Sequence, residues 1–99
     1  MAYKIFISPR AQKEIEDAID YYYSIRSSDA PRDFISSLNE TYTILSLNPH
    51  FKICYRNVKT IVLNVFPYSL FYTINEKEHT IRLLSCFHFK LNSQRRPGK

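Results

Sequence analysis

The chain of 99 residues has a single glycine and no tryptophan. So little glycine, beside 44% hydrophobic residues, is unlike a flexible linker or a disordered chain and indicates a packed protein. The length allows one hydrophobic core but not two. We therefore expect a single domain over residues 1–99, in which 91–99 form a flexible basic tail.

Long apolar runs are also missing. None approaches the ~20 residues that a membrane-spanning helix requires. Strand-like alternation begins at Tyr3, which leaves no room for a charged leader followed by a hydrophobic stretch. The sequence therefore predicts a cytoplasmic protein that does not engage a membrane.

Cysteine is scarce as well, and Cys54 and Cys86 form no Cys-x-x-Cys pair. Cys86 and His88 are spaced to share one face of a strand, but no second histidine completes a set of metal ligands. Buried, reduced thiols are the better interpretation. We predict no metal site and no cofactor.

Positive charge and aromatic side chains are what the chain has in excess. The net charge is +5, and there are eight tyrosines and seven phenylalanines. Such a charge suits an acidic partner, which could be nucleic acid, a ribosome or an acidic protein segment. The aromatic residues fit either both faces of a sheet or an exposed surface that stacks on bases or receives a peptide.

Hydrophobic periodicity predicts an α+β fold. Ser8 and Pro9 are typical of a helix start, and Asn48 with Pro49 is typical of a helix end. The predicted elements are a strand at 3–8, helices at 9–26 and 31–48, and strands at 52–55, 59–66, 69–74 and 80–90. We expect an N-terminal strand, an antiparallel two-helix hairpin and then an antiparallel β-meander in one sheet, in the order β-α-α-β-β-β.

The last strand carries polar residues on alternate positions. With a period of two, one face would hold Arg82, Leu84, Cys86, His88 and Lys90. The other face would hold Ile81, Leu83, Ser85, Phe87 and Phe89. We predict that the second set faces the helices and that the first set lies on an accessible surface.

Residues 66–72 read Phe-Pro-Tyr-Ser-Leu-Phe-Tyr, and the last predicted strand reaches a histidine at His88. Proline cannot donate to a sheet ladder, so Pro67 marks a corner between two strands. The motif F-P-Y-x-[ILV]-x-Y followed by that histidine resembles the RelE/ParE superfamily of toxin–antitoxin toxins, and the ParE and plasmid-stabilisation branch in particular. The resemblance implies a growth-inhibiting toxin that poisons DNA gyrase and is neutralised by a cognate antitoxin in a hetero-oligomer.

Two alternatives stay open. One is a RelE-like endoribonuclease that cuts ribosome-bound mRNA, which needs cations for the phosphate together with a base and an acid. Its candidate residues are Arg56, Lys59, Arg82, His88 and Lys90, although the C-terminal tyrosine of such enzymes has no counterpart after His88. The other is an inactive family member that acts as a binding or regulatory module.

Two positions depart from the family pattern. Lys59 stands where many relatives have arginine, and Leu91 stands where the pattern H-x-x-R has arginine. Lysine keeps the charge but loses the bidentate geometry, and either change could weaken toxicity. For antitoxin binding the candidates are Tyr21, Tyr23, Tyr68 and Tyr72. Three successive tyrosines at 21–23 cannot all face one core, so some of them must be exposed.

Overall fold

The computed structural model describes residues 2–25 and 29–89, with the side chains of 52–54 excepted. Its elements are β1 (Lys4–Ile7), α1 (Pro9–Ser24), α2 (Ala30–Leu47), β2 (Lys52–Tyr55), β3 (Val58–Val62), β4 (Tyr68–Asn75) and β5 (Thr80–His88). The predicted tail at 91–99, Lys90 and the side chain of Cys54 lie outside this description. Within it, neither helix is long and apolar enough to cross a membrane.

Helix α1 begins as the sequence predicts. The Ser8 hydroxyl accepts a hydrogen bond from the Ala11 N–H at 3.1 Å. Pro9 occupies the first turn, where backbone N–H groups have no partner within the helix, so its missing N–H costs no hydrogen bond. Ala11, Ile15, Ala18 and Tyr22 recur at helical spacing and are all buried. This apolar stripe docks α1 against the sheet.

Helix α2 buries a second stripe, with Phe34, Leu38 and Leu45 in the core. Two polar residues share its buried side. Thr41 donates its hydroxyl to the Ser37 carbonyl of the same helix at 2.8 Å, while Ser37 donates to the Asn64 carbonyl at 3.0 Å. Because Asn64 follows β3, the Ser37 bond ties α2 to the connection between β3 and β4.

The five strands form one sheet in the order β1-β5-β4-β3-β2. Strand β1 runs parallel to β5, and every other pair is antiparallel. The α+β class, the helical pair and the antiparallel meander are confirmed. The strand predicted at 52–55 is present and pairs with β3, so four strands follow the helices instead of the three in the order β-α-α-β-β-β.

The connection from β3 to β4 differs from the prediction. Strand β3 ends at Val62 rather than at residue 66, and 64–67 form bends. Pro67 has no N–H to donate to a neighbouring strand, so the ladder is interrupted here. Two backbone hydrogen bonds close the turn, from the Leu63 N–H to the Tyr68 carbonyl and from the Tyr68 N–H to the Phe66 carbonyl. Val65 lies at the turn with φ 76°, a conformation that a β-branched residue rarely adopts.

A β-bulge interrupts the pairing of β4 with β5. Phe71 lies opposite Ser85, whereas the next residue of β4, Tyr72, lies opposite Leu83. Leu84 is therefore an extra residue in β5, and the strand's alternation changes phase there. The predicted faces assume an unbroken period of two, so they are wrong for Cys86, Phe87 and His88.

The bulge moves Cys86 and His88 to the face that the helices cover. They pair with Leu70 and Tyr68, whose side chains belong to the core beneath the helices. Arg82 pairs with Thr73 on the opposite face, which also carries Phe6 and which we call the distal face. Phe87 was predicted to face the helices, but it pairs with Ser69 on the distal face.

Two residues from α1 and its cap hold the bulge. Ser8 donates its hydroxyl to the Leu84 carbonyl at 3.1 Å. The Glu14 carboxylate accepts from the Cys86 N–H at 3.0 Å and from the Ser85 hydroxyl at 2.8 Å. A bulge leaves ladder groups unpaired, and these contacts satisfy them.

Candidate functional site

The motif at 66–72 is explained first by packing. Phe66 lies 5.2 Å from the ring of Tyr22 and 5.4 Å from that of Phe34, and Tyr68 lies 5.2 Å from Phe34. Edge-to-face contacts of this kind join both helices to the corner before β4. Farther along β4, the Tyr72 hydroxyl donates to the Pro49 carbonyl at 2.7 Å, which fixes the end of α2.

Burial separates the four tyrosines predicted to bind an antitoxin. Tyr68 is 5% exposed and Tyr72 is 0% exposed, and burial raises the pKa of Tyr72 to about 12. We therefore correct their assignment, because both are core residues rather than parts of a docking surface. Tyr21 and Tyr23 are 44% and 70% exposed and are open to a partner.

The residues predicted for RNA cleavage lie in different places. Arg82 is exposed on the distal face, while His88 is half-buried under α1 with its ring 4.7 Å from that of Tyr68. Lys59 pairs with Tyr72 on the covered face, and Arg56 lies in the β2–β3 turn. Lys90 is outside the described residues. The structure does not bring the described candidates into one site.

The distal face carries cations beside aromatic rings at both edges of the sheet. At one edge the Lys4 ammonium lies 5.5 Å from the centre of the Phe6 ring, and Phe6 pairs with Arg82 across β1 and β5. At the other edge the Arg56 guanidinium lies 5.3 Å from the Tyr55 ring. These pairs give the face a positive, partly aromatic character that suits an acidic partner.

A second candidate site lies between α1 and β5. We call it the acidic pocket; its lining includes Glu14, Asp17, Tyr21, Tyr68, Cys86 and His88. Its volume is about 310 Å³. Burial, followed by the nearby Glu14 carboxylate, raises the pKa of Cys86 to about 12, so its thiol stays protonated and unreactive at neutral pH. Among the described residues, no group of three histidine, cysteine, aspartate or glutamate side chains is placed to hold a metal ion.

Sequence reasoning missed Glu14. The available signal was its position one residue before Ile15, at the border of the apolar stripe, where a carboxylate can reach the sheet. Sequence reasoning also assigned nothing to His50 and His79. The structure stacks His79 on Tyr3 at 3.8 Å and places His50 Nε2 3.2 Å from the Glu76 carboxylate, which also accepts from the Tyr3 hydroxyl.

Comparisons with known proteins agree with this fold. Residues 5–89 match a family model described as the ParE toxin of the type II toxin–antitoxin system parDE. A solved structure of the chromosomal ParDE system from P. aeruginosa is similar with a TM-score of 0.70 and 15% sequence identity, covering 86% of this chain and 94% of that chain. A comparison with curated proteins gave no match.

Two further structures share the fold. The RelBE2 toxin–antitoxin complex from Mycobacterium tuberculosis matches with a TM-score of 0.64 and 17% identity, covering 89% of this chain and 99% of that chain. A double mutant of the E. coli toxin RelE in the free state matches with a TM-score of 0.63 and 16% identity, covering 94% of this chain and 90% of that chain.

The α+β sheet and its helical hairpin are thus those of the small toxins of the RelE/ParE superfamily. Because the family match spans most of the sequence, the chain belongs to the ParE toxin family of type II toxin–antitoxin systems.

Proposed function

We propose that this toxin arrests bacterial growth by inhibiting DNA gyrase, and that it acts in the cytoplasm until a cognate antitoxin neutralises it. Membership of the ParE family supports the proposal. The structural observation that carries it is the bulge at Leu84, which separates Arg82 from His88.

Cleavage of RNA by its own 2′-OH requires a base, an acid and cations around one phosphate. Arg82 lies on the distal face and His88 on the covered face, so they cannot contact the same phosphate. Lys59 projects toward the covered side as well. This arrangement favours a toxin that works by binding a protein rather than by cutting RNA.

The distal face favours a second candidate function. Lys4, Phe6 and Arg82 form a cationic surface with an exposed aromatic ring, which is the composition of a surface that contacts single-stranded RNA. A RelE-like ribonuclease would have to assemble its site there, without His88. The experiment below separates the two functions.

The antitoxin is expected to cover the exposed end of α1. Tyr21, Tyr23 and Ile25 lie there with large accessible side chains. Exposed tyrosines contribute strongly to protein interfaces. An antitoxin segment that folds onto this end would give the hetero-oligomer expected of such a pair.

Induced expression in a bacterium tests the proposal. We expect growth to stop, a reporter plasmid to lose negative supercoiling and mRNA to remain intact, and co-expression of the antitoxin to restore growth. Messages cut at codon positions with normal supercoiling would instead support the ribonuclease. Unimpaired growth would contradict both toxic activities and favour an inactive binding module.

A further inference from the structure

The acidic pocket is lined by carboxylates, although the protein as a whole is positively charged. The chain carries a net charge of +5, yet the pocket presents two carboxylates, Glu14 and Asp17. Their side chains are 27% and 59% exposed, so solvent and partners reach both of them. Carboxylate oxygens can accept from a cationic group of a partner, whereas the net charge of the whole chain favours acidic partners.

Aromatic rings line the same recess. Tyr21 contributes an accessible ring to its wall beside the carboxylates, and the largely buried Tyr68 lies behind it in the core. Tyrosine rings attract an ammonium or guanidinium group that lies over their faces. The volume of about 310 Å³ is at the small end for binding pockets, which suits one long side chain rather than a larger ligand.

The Glu14 carboxylate is held in place within the free toxin. Its Oε1 atom accepts from both the Ser85 hydroxyl and the Cys86 N–H, so its orientation is set by the bulge. A group that is already oriented loses little conformational freedom when a partner binds. The carboxylates also pair with Arg10 and Lys13 of the same helix, but these ion pairs are exposed and a partner can displace them at little cost.

We propose that the acidic pocket receives one arginine or lysine side chain of the antitoxin. This inference rests on the toxin–antitoxin pairing in the proposed function. The positive surface of the toxin attracts acidic antitoxin segments without regard to their exact position. A single cation that fits the pocket then selects the register in which the antitoxin docks along α1.

The test uses the full-length toxin and the antitoxin encoded beside its gene, with the dissociation constant measured by calorimetry. We expect Asp17→Asn and Tyr21→Leu each to weaken binding by about tenfold or more, since each removes one wall of the pocket. The loss caused by Asp17→Asn should shrink as salt is raised. Asp20→Asn and Glu16→Gln remove the same charge from exposed positions of α1 outside the pocket, and these controls should bind like wild type.

Substituting each antitoxin lysine and arginine with glutamine should identify the docked cation. Replacing that antitoxin residue together with Asp17→Asn in the toxin should weaken binding little more than either substitution alone, because both substitutions remove the same contact. Wild-type affinity in both pocket variants would overturn the inference while leaving the pairing intact. Failure of the wild-type proteins to bind would instead contradict the proposed pairing. If Asp17→Asn mainly lowered the melting temperature of the free toxin, the pocket would serve a cation of the toxin itself, and the inference would be wrong.

Discussion

Arg82 and His88 lie in the same strand but on opposite faces of the sheet, because Leu84 between them is an extra residue in the pairing with β4. Arg82 is exposed on the distal face, and His88 is half-buried beside Tyr68 under α1. Two of the residues predicted for RNA cleavage thus lie on two separate surfaces. The bulge also creates the recess in which Glu14, Cys86 and His88 meet.

His88 should be dispensable for growth arrest. Its ring packs against Tyr68 at 4.7 Å, and phenylalanine would preserve that packing. We expect His88→Phe to arrest growth as strongly as wild type when the two folded proteins are present at equal levels. Loss of arrest in a variant that remains folded would show that the imidazole takes part in toxicity.

Glu14 should contribute to stability through the bulge. Glu14→Ala removes the acceptor for the Ser85 hydroxyl and the Cys86 N–H, and hydrogen bonds to a charged group contribute about 1.5–3 kcal/mol. We expect urea unfolding to show a loss of about 2 kcal/mol in the free energy of unfolding. The control Glu16→Ala, at an exposed position of the same helix, should change it by less than about 0.5 kcal/mol. Equal effects of the two substitutions would contradict this role.

Val65 should be replaceable by glycine with a gain in stability. Its φ of 76° costs an L-residue about 1–2 kcal/mol, and its side chain is 87% exposed, so little packing is lost on removal. About 0.5–1 kcal/mol of the relieved strain is offset, because glycine gives the unfolded chain more conformational freedom to lose on folding. We expect Val65→Gly to raise the free energy of unfolding slightly, and Val62→Gly within β3 to lower it. A clear destabilisation by Val65→Gly would contradict the left-handed conformation.

Alkaline pH should destabilise the toxin. The pKa of Cys86 rises from its usual value of 9.0 to about 12 on folding because burial disfavours the thiolate. The unfolded chain therefore loses this proton at lower pH than the folded chain, and stability falls as pH increases from about 9 toward 12. Each pH unit in that window should cost about 1.4 kcal/mol for this group.

Tyr42 and Tyr72, whose pKa values burial raises to about 12, add to the decline above pH 10. Urea unfolding under reducing conditions at pH 8 and pH 10 measures the effect. Cys86→Ser removes the thiol and should make the free energy of unfolding less dependent on pH over that interval. An unchanged pH dependence in Cys86→Ser would show that the thiol is not the group responsible.

Local signals predicted much of the fold. Ser8 and Pro9 determine the start of α1, where the Ser8 side chain caps the helix. The buried side of α1 follows from the helical spacing of Ala11, Ile15, Ala18 and Tyr22, without knowledge of the sheet. These features depend on residues a few positions apart. The same holds for the proline corner at Pro67. Strand β3 nevertheless stops earlier than predicted, because Ser37 of α2 binds the loop at Asn64 and local backbone bonds to Tyr68 close the turn.

The faces of β5 could not be predicted in this way. Counting every second residue assumes an unbroken ladder, whereas the bulge at Leu84 depends on Ser8 and Glu14, which are far away in sequence. The burial of Tyr68 and Tyr72 in the core could not be predicted either, for a related reason. Alternating aromatic residues look alike whether they face a core or a partner, and only the packing of α1 and α2 distinguishes the two.

A supercoiling assay with purified components tests the central claim most directly. Gyrase is given relaxed plasmid and ATP, and the toxin is added with and without its antitoxin. We predict that the toxin alone blocks supercoiling, that the antitoxin restores it, and that translating ribosomes treated with the same toxin keep their mRNA uncut. Undiminished supercoiling together with cleaved mRNA would contradict the claim.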